Sequence, residues 1–300
     1  MKRDFLTLQD ISSDEFAAII KRASELKSGK DAHACPLMGK SIGLLFDKTS
    51  TRTRISFQTG IYQLGAQPIY INSKELQLGR GETVEDTAKV ISRYLHGIVI
   101  RTFAHSTIEK LASNSSIPIV NGLTDLHHPC QALADMLTIW EQKGTLKDVR
   151  LVYVGDGNNV ANSLIEAALH TGVDLAIACP RGYEPDRNIF QNVKDNGGNV
   201  QLYIDPEEAV KDADVIYTDV WISMGQERET ERRRQIFKKY QVNKELLSLA
   251  KPDAIVMHCL PAHREEEITS EVLDSPQSVV IDQAENRLHT QKAMLEMLIR

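Results

Sequence analysis

The sequence predicts an α/β protein with two doubly wound parallel-sheet domains joined by interdomain helices, and three observations lead to this prediction. Apolar runs of strand length recur along the 300 residues, and segments of helix length follow them. The runs are nearly continuous in Val, Ile and Leu, which is typical of strands buried on both faces. The alternation of strands and helices indicates parallel pairing through right-handed crossovers, and the length suits about two domains.

The predicted strands form two series along the chain. The first series is 41–46, 67–71, 97–101 and 117–120, and the second is 149–154, 173–178, 199–204, 214–218, 253–258 and 278–281. A helix is predicted between the series over 129–143, with Pro129 in its first turn and Gly144 after its end. We therefore expect one domain over 1–135, a second over 136–285, and a C-terminal helix over 286–300 that returns to the first domain.

Composition argues against several classes of protein. The chain has 35 basic and 41 acidic residues, a formal net charge of −6, whereas nucleic-acid-binding proteins usually carry a basic excess. No apolar run approaches the ~20 residues of a membrane span, and the N-terminal residues lack the apolar stretch of a signal peptide. Four scattered cysteines without metal-type spacing indicate a reducing compartment. We expect a cytoplasmic protein with neither nucleic-acid nor membrane partners.

The first candidate site follows the first strand, in the segment FDKTSTRTRISF (46–57). A helix is predicted to begin near Thr51 or Arg52, so hydroxyls and guanidiniums crowd its N-terminus: Ser50, Thr51, Arg52, Thr53 and Arg54. Backbone N–H groups and the positive end of the helix dipole make such a place suitable for an anion. The Arg52 guanidinium fits phosphate oxygens. The alternative is a helix cap beside two solvated arginines.

Two further candidates follow later strands of the first series. Arg101 ends the apolar run GIVIR and needs either a structural partner or a ligand. His128 and Gln131 are three residues apart across a helix start, so both can face one ligand. An imidazole and an amide suit a carbonyl or amide group, although a capping cluster beside a core glutamine fits the same pattern.

In the second series, the Gly-rich turn VGDGNNVANS (154–163) suggests a nucleotide fingerprint. Val160 stands at the third glycine position, and the next strand ends without an acidic residue for a ribose, which argues against a dinucleotide. Asn158 and Asn159 instead offer neutral hydrogen-bonding groups. Asp219, after a later strand, could bind an ammonium group, although an ordinary loop is the alternative.

His258 and Cys259 end another strand. A nucleophilic pair is conceivable, but adjacent residues on a strand point to opposite faces. We expect Cys259 to line a site beside exposed backbone carbonyls and to form no covalent intermediate. The charged segment 227–239 is expected to be a solvated helix face.

Taken together, these segments resemble the aspartate/ornithine carbamoyltransferase family over essentially the whole chain. S-T-R-T-R at 50–54 followed by H-P-C-Q at 128–131 is similar to the family's carbamoyl phosphate signature. D-V-W-I-S-M-G at 219–225 and H-C-L-P at 258–261 resemble the ornithine branch rather than the aspartate branch.

The resemblance implies roles for individual residues. Phosphate is expected on Ser50, Thr51, Arg52 and Thr53, and the carbamoyl oxygen on Thr53, Arg101 and His128. Gln131 and the backbone around Cys259 and Leu260 are expected to hold the carbamoyl amine, with Arg287 as a late arginine on the ligand. Asn159, Asp219, Ser223 and Met224 match contacts to ornithine, with Asn158 as the less favoured match beside Asn159. Gln77 matches a residue that reaches a neighbouring subunit's site, which implies a homotrimer. The catalytic residues are then Arg101, His128 and Cys259.

The implied activity is transfer of a carbamoyl group from carbamoyl phosphate to the δ-amine of L-ornithine, giving citrulline for arginine biosynthesis or in the degradative direction. No metal or organic cofactor is expected. N-acetylornithine, putrescine or aspartate remain alternative acceptors. An NAD-dependent dehydrogenase and a non-catalytic anion-binding protein remain as other classes.

Overall fold

The computed structural model describes residues 2–30, 34–72, 81–222 and 230–299. Residue contacts divide the chain into two compact units, one formed by residues 1–137 with 285–300, the other by residues 138–284. The divisions fall inside two helices, α5 (Pro129–Lys143) and α12 (Val280–Leu298). No helix among the described residues is both long and apolar enough to cross a bilayer.

The first unit contains a four-stranded parallel sheet in the order β2-β1-β3-β4. Its strands and helices, besides the first part of α5 and most of α12, are α1 (Ser13–Lys27), β1 (Ser41–Phe46), α2 (Thr51–Gln63), β2 (Gln67–Asn72), α3 (Val84–Ile91), β3 (Gly97–Arg101), α4 (His105–Asn114) and β4 (Ile119–Leu123). Apolar residues of β3, α4 and β4 pack with Leu45 of β1 and Ala88 of α3 to form a core.

The second unit contains a five-stranded parallel sheet in the order β7-β6-β5-β8-β9. Its elements are β5 (Arg150–Val154), α6 (Asn159–Thr171), β6 (Asp174–Ala178), α7 (Arg187–Asp195), β7 (Val200–Tyr203), α8 (Pro206–Ala209), β8 (Val215–Thr218), α9 (Thr230–Phe237), α10 (Lys244–Leu247), β9 (Ile255–His258) and α11 (Ser270–Leu273). The two parallel sheets with flanking helices confirm the predicted α/β fold class.

Capping residues begin several helices where the sequence changes from strand to helix. Ser12 and Glu15 form a capping box at α1, in which each side chain binds the other's backbone N–H. Ser50 caps α2, because its Oγ accepts the Thr53 N–H at 3.2 Å. Asn158 caps α6 in the same manner. Two of these caps therefore lie in segments that the sequence marks as candidate sites.

The prediction of a tenth strand over 278–281 is wrong. Ser278 forms only an isolated bridge with Val256, and α12 begins at Val280. The Val256 N–H donates to Gln277 O at 2.8 Å and the Val279 N–H donates to Val256 O at 3.0 Å. These two bonds explain the apolar run SVVI as one point of contact with the sheet followed by the start of a helix.

The strand order gives each sheet a switch point. There, the connections that leave two neighbouring strands run in opposite directions, and ligands commonly bind in the crevice between them. In the first unit it lies between β1 and β3, with Phe46 level with Arg101. In the second it lies between β5 and β8, with Val154 level with Thr218. The candidate segments that follow these four strand ends are therefore collected into one site in each unit.

Candidate functional sites in the two units

The first site centres on the N-terminus of α2. Ser50 has an extended backbone and its side chain caps the helix, so the first-turn N–H groups stand at the positive end of the helix. Thr53 is buried, Arg52 is half-buried and Thr51 is exposed. Hydroxyls, backbone donors and one guanidinium thus share one helix end, an arrangement that suits a phosphoryl group.

Arg287 links three helices of the first unit at this site. Its Nη1 donates to Gln131 Oε1 at 2.5 Å and its Nη2 donates to Thr53 Oγ1 at 3.1 Å. Gln131 Nε2 in turn donates to Asp135 Oδ1 at 2.8 Å. All four side chains are buried. Arg287 therefore lies within hydrogen-bonding distance of both Thr53 and Gln131, and the resemblance assigns all three residues to one ligand.

His128 and Arg101 complete the buried polar group of the first unit. Arg101 is the last residue of β3, and His128 directly precedes α5. Burial lowers the pKa of His128 well below its usual value, and the guanidiniums of Arg287 and Arg101 lower it further. His128 is therefore neutral at pH 7, and its imidazole can donate one N–H to a carbonyl oxygen.

Cys130, which stands between His128 and Gln131 in the chain, does not have the character of a nucleophile. Burial raises the pKa of Cys130 to about 12, and its thiol donates to Asn121 O at 3.3 Å.

The second site centres on Asp219, which follows β8. Its Oδ2 accepts a hydrogen bond from Asn158 Nδ2 at 2.7 Å. Its Oδ1 accepts from the Val220 N–H at 2.8 Å and from the Cys259 thiol at 2.9 Å. The carboxylate is buried and its orientation is fixed by these donors. A negative charge held in this way suits an amino group of a ligand.

The two adjacent asparagines have different surroundings. Asn158 Oδ1 accepts the Val160 and Ala161 N–H groups at 2.9 and 3.3 Å, while its Nδ2 binds Asp219. Asn158 is thus occupied in capping α6 and in orienting Asp219. Asn159, the first residue of α6, is half-buried. The assignment of Asn159 to ornithine stays a prediction of the resemblance.

The need for glycine at position 157 comes from backbone packing and is unrelated to a nucleotide. A Cβ at this position would lie 2.2 Å from Pro185 N and 2.4 Å from Glu184 C. Only glycine allows the loop after β5 to approach the chain at 184–185 so closely.

His258 and Cys259 do not form a nucleophilic pair through their described hydrogen bonds. His258 Nε2 lies 3.1 Å from Glu267 Oε1, and its Nδ1 accepts the Leu260 N–H at 2.8 Å. The Cys259 thiol donates to Asp219 instead. Both ring nitrogens of His258 are therefore engaged. A ring nitrogen of His258 nevertheless lies within 4.8 Å of the Cys259 Sγ, so the expectation that the two side chains point to opposite faces is wrong. The strand ends at His258, and its alternation does not extend to Cys259.

The prediction of a solvated helix face over 227–239 is wrong for Arg233. Arg233 is only 6% exposed, and its Nη1 donates to Asp156 Oδ2 and to Trp221 O, each at 2.8 Å. The guanidinium also lies over the Tyr183 ring, 4.8 Å from its centroid. The signal in the sequence was the spacing of Arg233 four residues before buried Phe237, which places both on one helix face.

Two clusters among the described residues have metal-ligating atoms close together, namely Asp219 with His258 and Cys259, and His263 with Glu266 and Glu267. The first is held together by hydrogen bonds of its own. In the second, Glu266 pairs with Arg234 at 2.6 Å. Neither cluster requires an ion to explain its geometry.

Three predicted site residues, Gln77, Ser223 and Met224, lie outside the described residues. Their assignments stay predictions. Leu260 lies beside Cys259 with a left-handed backbone (φ 59°), which a leucine adopts only where its surroundings hold it.

Models of protein families match both halves of the chain. Residues 3–141 match the aspartate/ornithine carbamoyltransferase carbamoyl-P binding domain. Residues 147–298 match the Asp/Orn binding domain of the same family.

Similar proteins extend over the full length. The ornithine carbamoyltransferase of Syntrophus aciditrophicus is 57% identical over 302 residues, which cover 100% of both chains. That of Thermococcus kodakarensis is 55% identical, covering 99% of this chain and 96% of the relative. Among solved structures, the ornithine carbamoyltransferase from Pyrococcus furiosus superposes with a TM-score of 0.94 at 53% identity, covering 99% of this chain and 97% of that chain. The enzyme from Thermus thermophilus gives 0.92 at 41% identity, with 100% coverage of both.

Proposed function

Because the chain belongs to the aspartate/ornithine carbamoyltransferase family, we propose that it transfers the carbamoyl group of carbamoyl phosphate to the δ-amine of L-ornithine, giving L-citrulline and phosphate. The observation that carries this choice within the family is the 57% identity to an ornithine carbamoyltransferase over the whole length of both chains. The naming of a 53% identical relative as anabolic supports a role in arginine biosynthesis.

In this proposal the first unit binds carbamoyl phosphate. Ser50, Thr51, Arg52 and Thr53 bind the phosphate at the start of α2, where backbone donors and a guanidinium favour a dianion. Gln131 holds the carbamoyl amine, and Arg287 reaches the ligand from α12. The hydrogen bonds of Arg287 to Gln131 and Thr53 support this role, since they hold the three side chains in one place before the ligand arrives.

Arg101 and His128 stabilise the charge that develops on the carbamoyl oxygen in the tetrahedral state. Preorganised donors at such an oxygen contribute ~3–4 kcal/mol each in comparable sites. The lowered pKa of His128 supports its action as a neutral donor rather than as an acid. Its burial favours this role further, because hydrogen bonds strengthen where water is excluded.

The second unit binds ornithine. Asp219 receives the α-amino group and Asn159 the α-carboxylate, with Ser223 and Met224 as further contacts, while the backbone at Cys259 and Leu260 faces the carbamoyl amine. The oriented carboxylate of Asp219 supports the first of these roles. Cys259 acts through its backbone and its contact with Asp219.

The reaction then proceeds by addition to the carbamoyl carbon and elimination of phosphate, with no covalent intermediate on the enzyme. The neutral δ-amine attacks the carbamoyl carbon, a C–N bond forms, and the C–O bond to phosphate breaks. The departing phosphate accepts the proton that the amine loses. Most of the rate enhancement comes from holding two substrates in reactive contact.

The test measures the carbamoylated amine and the phosphate formed from carbamoyl phosphate with each of four acceptors, namely L-ornithine, N-acetylornithine, putrescine and L-aspartate. We expect product with L-ornithine at a kcat/KM at least 100-fold above the others, because the site offers a partner for the α-amino group. A preference for any other acceptor would overturn the assignment of ornithine as the substrate. Absence of transfer to all four acceptors would overturn the proposed carbamoyltransferase activity.

We further propose that the enzyme is a homotrimer. Several large apolar side chains of the first unit are exposed on α2, on the edge strand β2 and before β1, namely Ile55, Tyr62, Ile69, Tyr70 and Met38. Such a surface suits another copy of the chain. Light scattering should give three times the chain mass of 33.6 kDa, and a Tyr62→Lys variant should dissociate. A monomeric wild-type enzyme would refute this proposal.

Cytoplasmic location is also proposed. No disulfide joins the four cysteines, all of which lie among the described residues, and this supports a reducing compartment. Cell fractionation should recover the activity with cytoplasmic marker enzymes. Recovery with an extracellular or organellar fraction would contradict the proposal.

A further inference from the structure

Glu267 lies outside every site singled out by the sequence, yet it is fully buried beside the strand end that carries Cys259. Its Oε1 lies 3.1 Å from His258 Nε2 and accepts the His263 N–H at 2.5 Å. His258 is fully buried as well. Burial of a carboxylate costs folding free energy unless hydrogen bonds or an opposite charge compensate it.

The hydrogen bonds of His258 determine which ring nitrogen carries the proton. Nδ1 accepts the Leu260 N–H at 2.8 Å, so Nδ1 has a lone pair there and the proton is on Nε2. Nε2–H then donates to Glu267 Oε1. The His258 backbone N–H is held separately by Gln283 Oε1 at 2.9 Å. Glu267 therefore selects both the tautomer and the orientation of the ring.

The same contact fixes the peptide between Cys259 and Leu260. In a trans peptide the N–H and the C=O point in opposite directions. Because the Leu260 N–H is directed at the His258 ring, the Cys259 carbonyl is directed away from it. The left-handed conformation of Leu260 (φ 59°) needs such a restraint, because a leucine does not prefer it.

From these contacts we propose that Glu267 is a positioning residue, which acts through His258 to fix the peptide between Cys259 and Leu260 that the proposed function assigns to the carbamoyl amine. This inference rests on the proposed function. It makes the reaction depend on a buried carboxylate that touches neither substrate.

The test compares two substitutions at Glu267. Glu267→Gln keeps an oxygen that can accept from His258 and His263, whereas Glu267→Leu has a similar size and no acceptor. We expect Glu267→Gln to keep kcat within about threefold of wild type and Glu267→Leu to lose on the order of 10–100-fold in kcat. Inhibition by inorganic phosphate, which probes the first unit, should be unchanged in both. Glu266→Leu, next in the chain and paired with Arg234, is the matched control and should behave as wild type.

Equal kcat values for Glu267→Leu and Glu267→Gln would overturn the inference, as would a loss that appears only as weaker phosphate inhibition. If Glu267→Leu does not fold, ¹⁵N NMR of histidine-labelled wild type decides the matter, with the His258 signal identified by its loss in His258→Asn. The Nε2–H tautomer is expected, and the Nδ1–H tautomer would overturn the inference. A wild-type protein that makes no citrulline would instead refute the proposed function, whatever the tautomer.

Discussion

Replacing Arg287 by glutamine removes a side chain that joins Thr53 and Gln131 in the first unit. Two hydrogen bonds from a buried guanidinium disappear, to Gln131 Oε1 at 2.5 Å and to Thr53 Oγ1 at 3.1 Å. A hydrogen bond to a charged group is worth ~1.5–3 kcal/mol. If Arg287 gives the bound ligand one such contact, we expect carbamoyl phosphate to bind about 10- to 150-fold more weakly.

The same substitution changes the electrostatics of His128. Burial is the main cause of its lowered pKa, and the Arg287 guanidinium is the second. Arg287→Gln removes the second cause and leaves the first, so the pKa of His128 rises but stays below 6.5. His128 then becomes protonated at a higher pH than in wild type. The acid limb of the kcat/KM profile should move upward in pH accordingly.

The assay measures the KM for carbamoyl phosphate and the inhibition constant of inorganic phosphate at several pH values. Arg22→Gln is the matched control, because Arg22 pairs with Glu296 near the other end of α12, at 2.7 Å. That variant should leave both constants and the pH profile unchanged. A wild-type KM and an unshifted acid limb in Arg287→Gln would refute the assignment of Arg287 to the ligand site.

Three other outcomes follow from the described contacts. The lowered pKa of His128 means that its contribution to stability is complete above pH 6.5, where the unfolded residue is also neutral, and is lost as the pH falls below that value. In denaturant titrations, His128→Asn should reduce this pH dependence of the free energy of unfolding by ~1.4 kcal/mol per pH unit. Arg233→Met removes the guanidinium that pairs with buried Asp156 and should destabilise the protein by ~3–5 kcal/mol, and adding Asp156→Asn should restore at least half of the loss; a double variant less stable than Arg233→Met would contradict this. Cys259→Ser should keep partial activity, since serine can also donate to Asp219, and mass spectrometry should detect no carbamoylated Cys259 in wild type during turnover.

The sheets were predictable because most of their strands are apolar on both faces. Runs such as 150–154 and 215–218 have almost no exposed residue and carry a continuous apolar signal. The strand β4 was harder, since it was predicted at 117–120 and lies at Ile119–Leu123. Its second half contains Asn121, whose side chain donates to Leu6 O at 2.8 Å. A polar residue that is satisfied by a segment over a hundred positions away leaves no local sign of a strand.

The site residues divide in the same way. Segments that stand directly after a strand, such as 50–53 and Asp219, could be singled out as candidates because ligands commonly bind at the carboxyl ends of parallel strands. Arg233 and Glu267 could not be found by that rule, because each lies in a run of charged residues that is typical of an exposed surface. Their buried hydrogen bonds, to Asp156 and to His258 among others, form only in the folded chain.

In the proposed function, the N-terminus of α2 binds the phosphate of carbamoyl phosphate, while Arg101 and His128 face its carbonyl oxygen. A crystal structure of the protein with a non-hydrolysable phosphonate analogue of carbamoyl phosphate tests it most directly. We expect phosphonate oxygens within hydrogen-bonding distance of Ser50, Arg52 and Thr53. An analogue bound elsewhere, with this helix end in contact only with water, would contradict it.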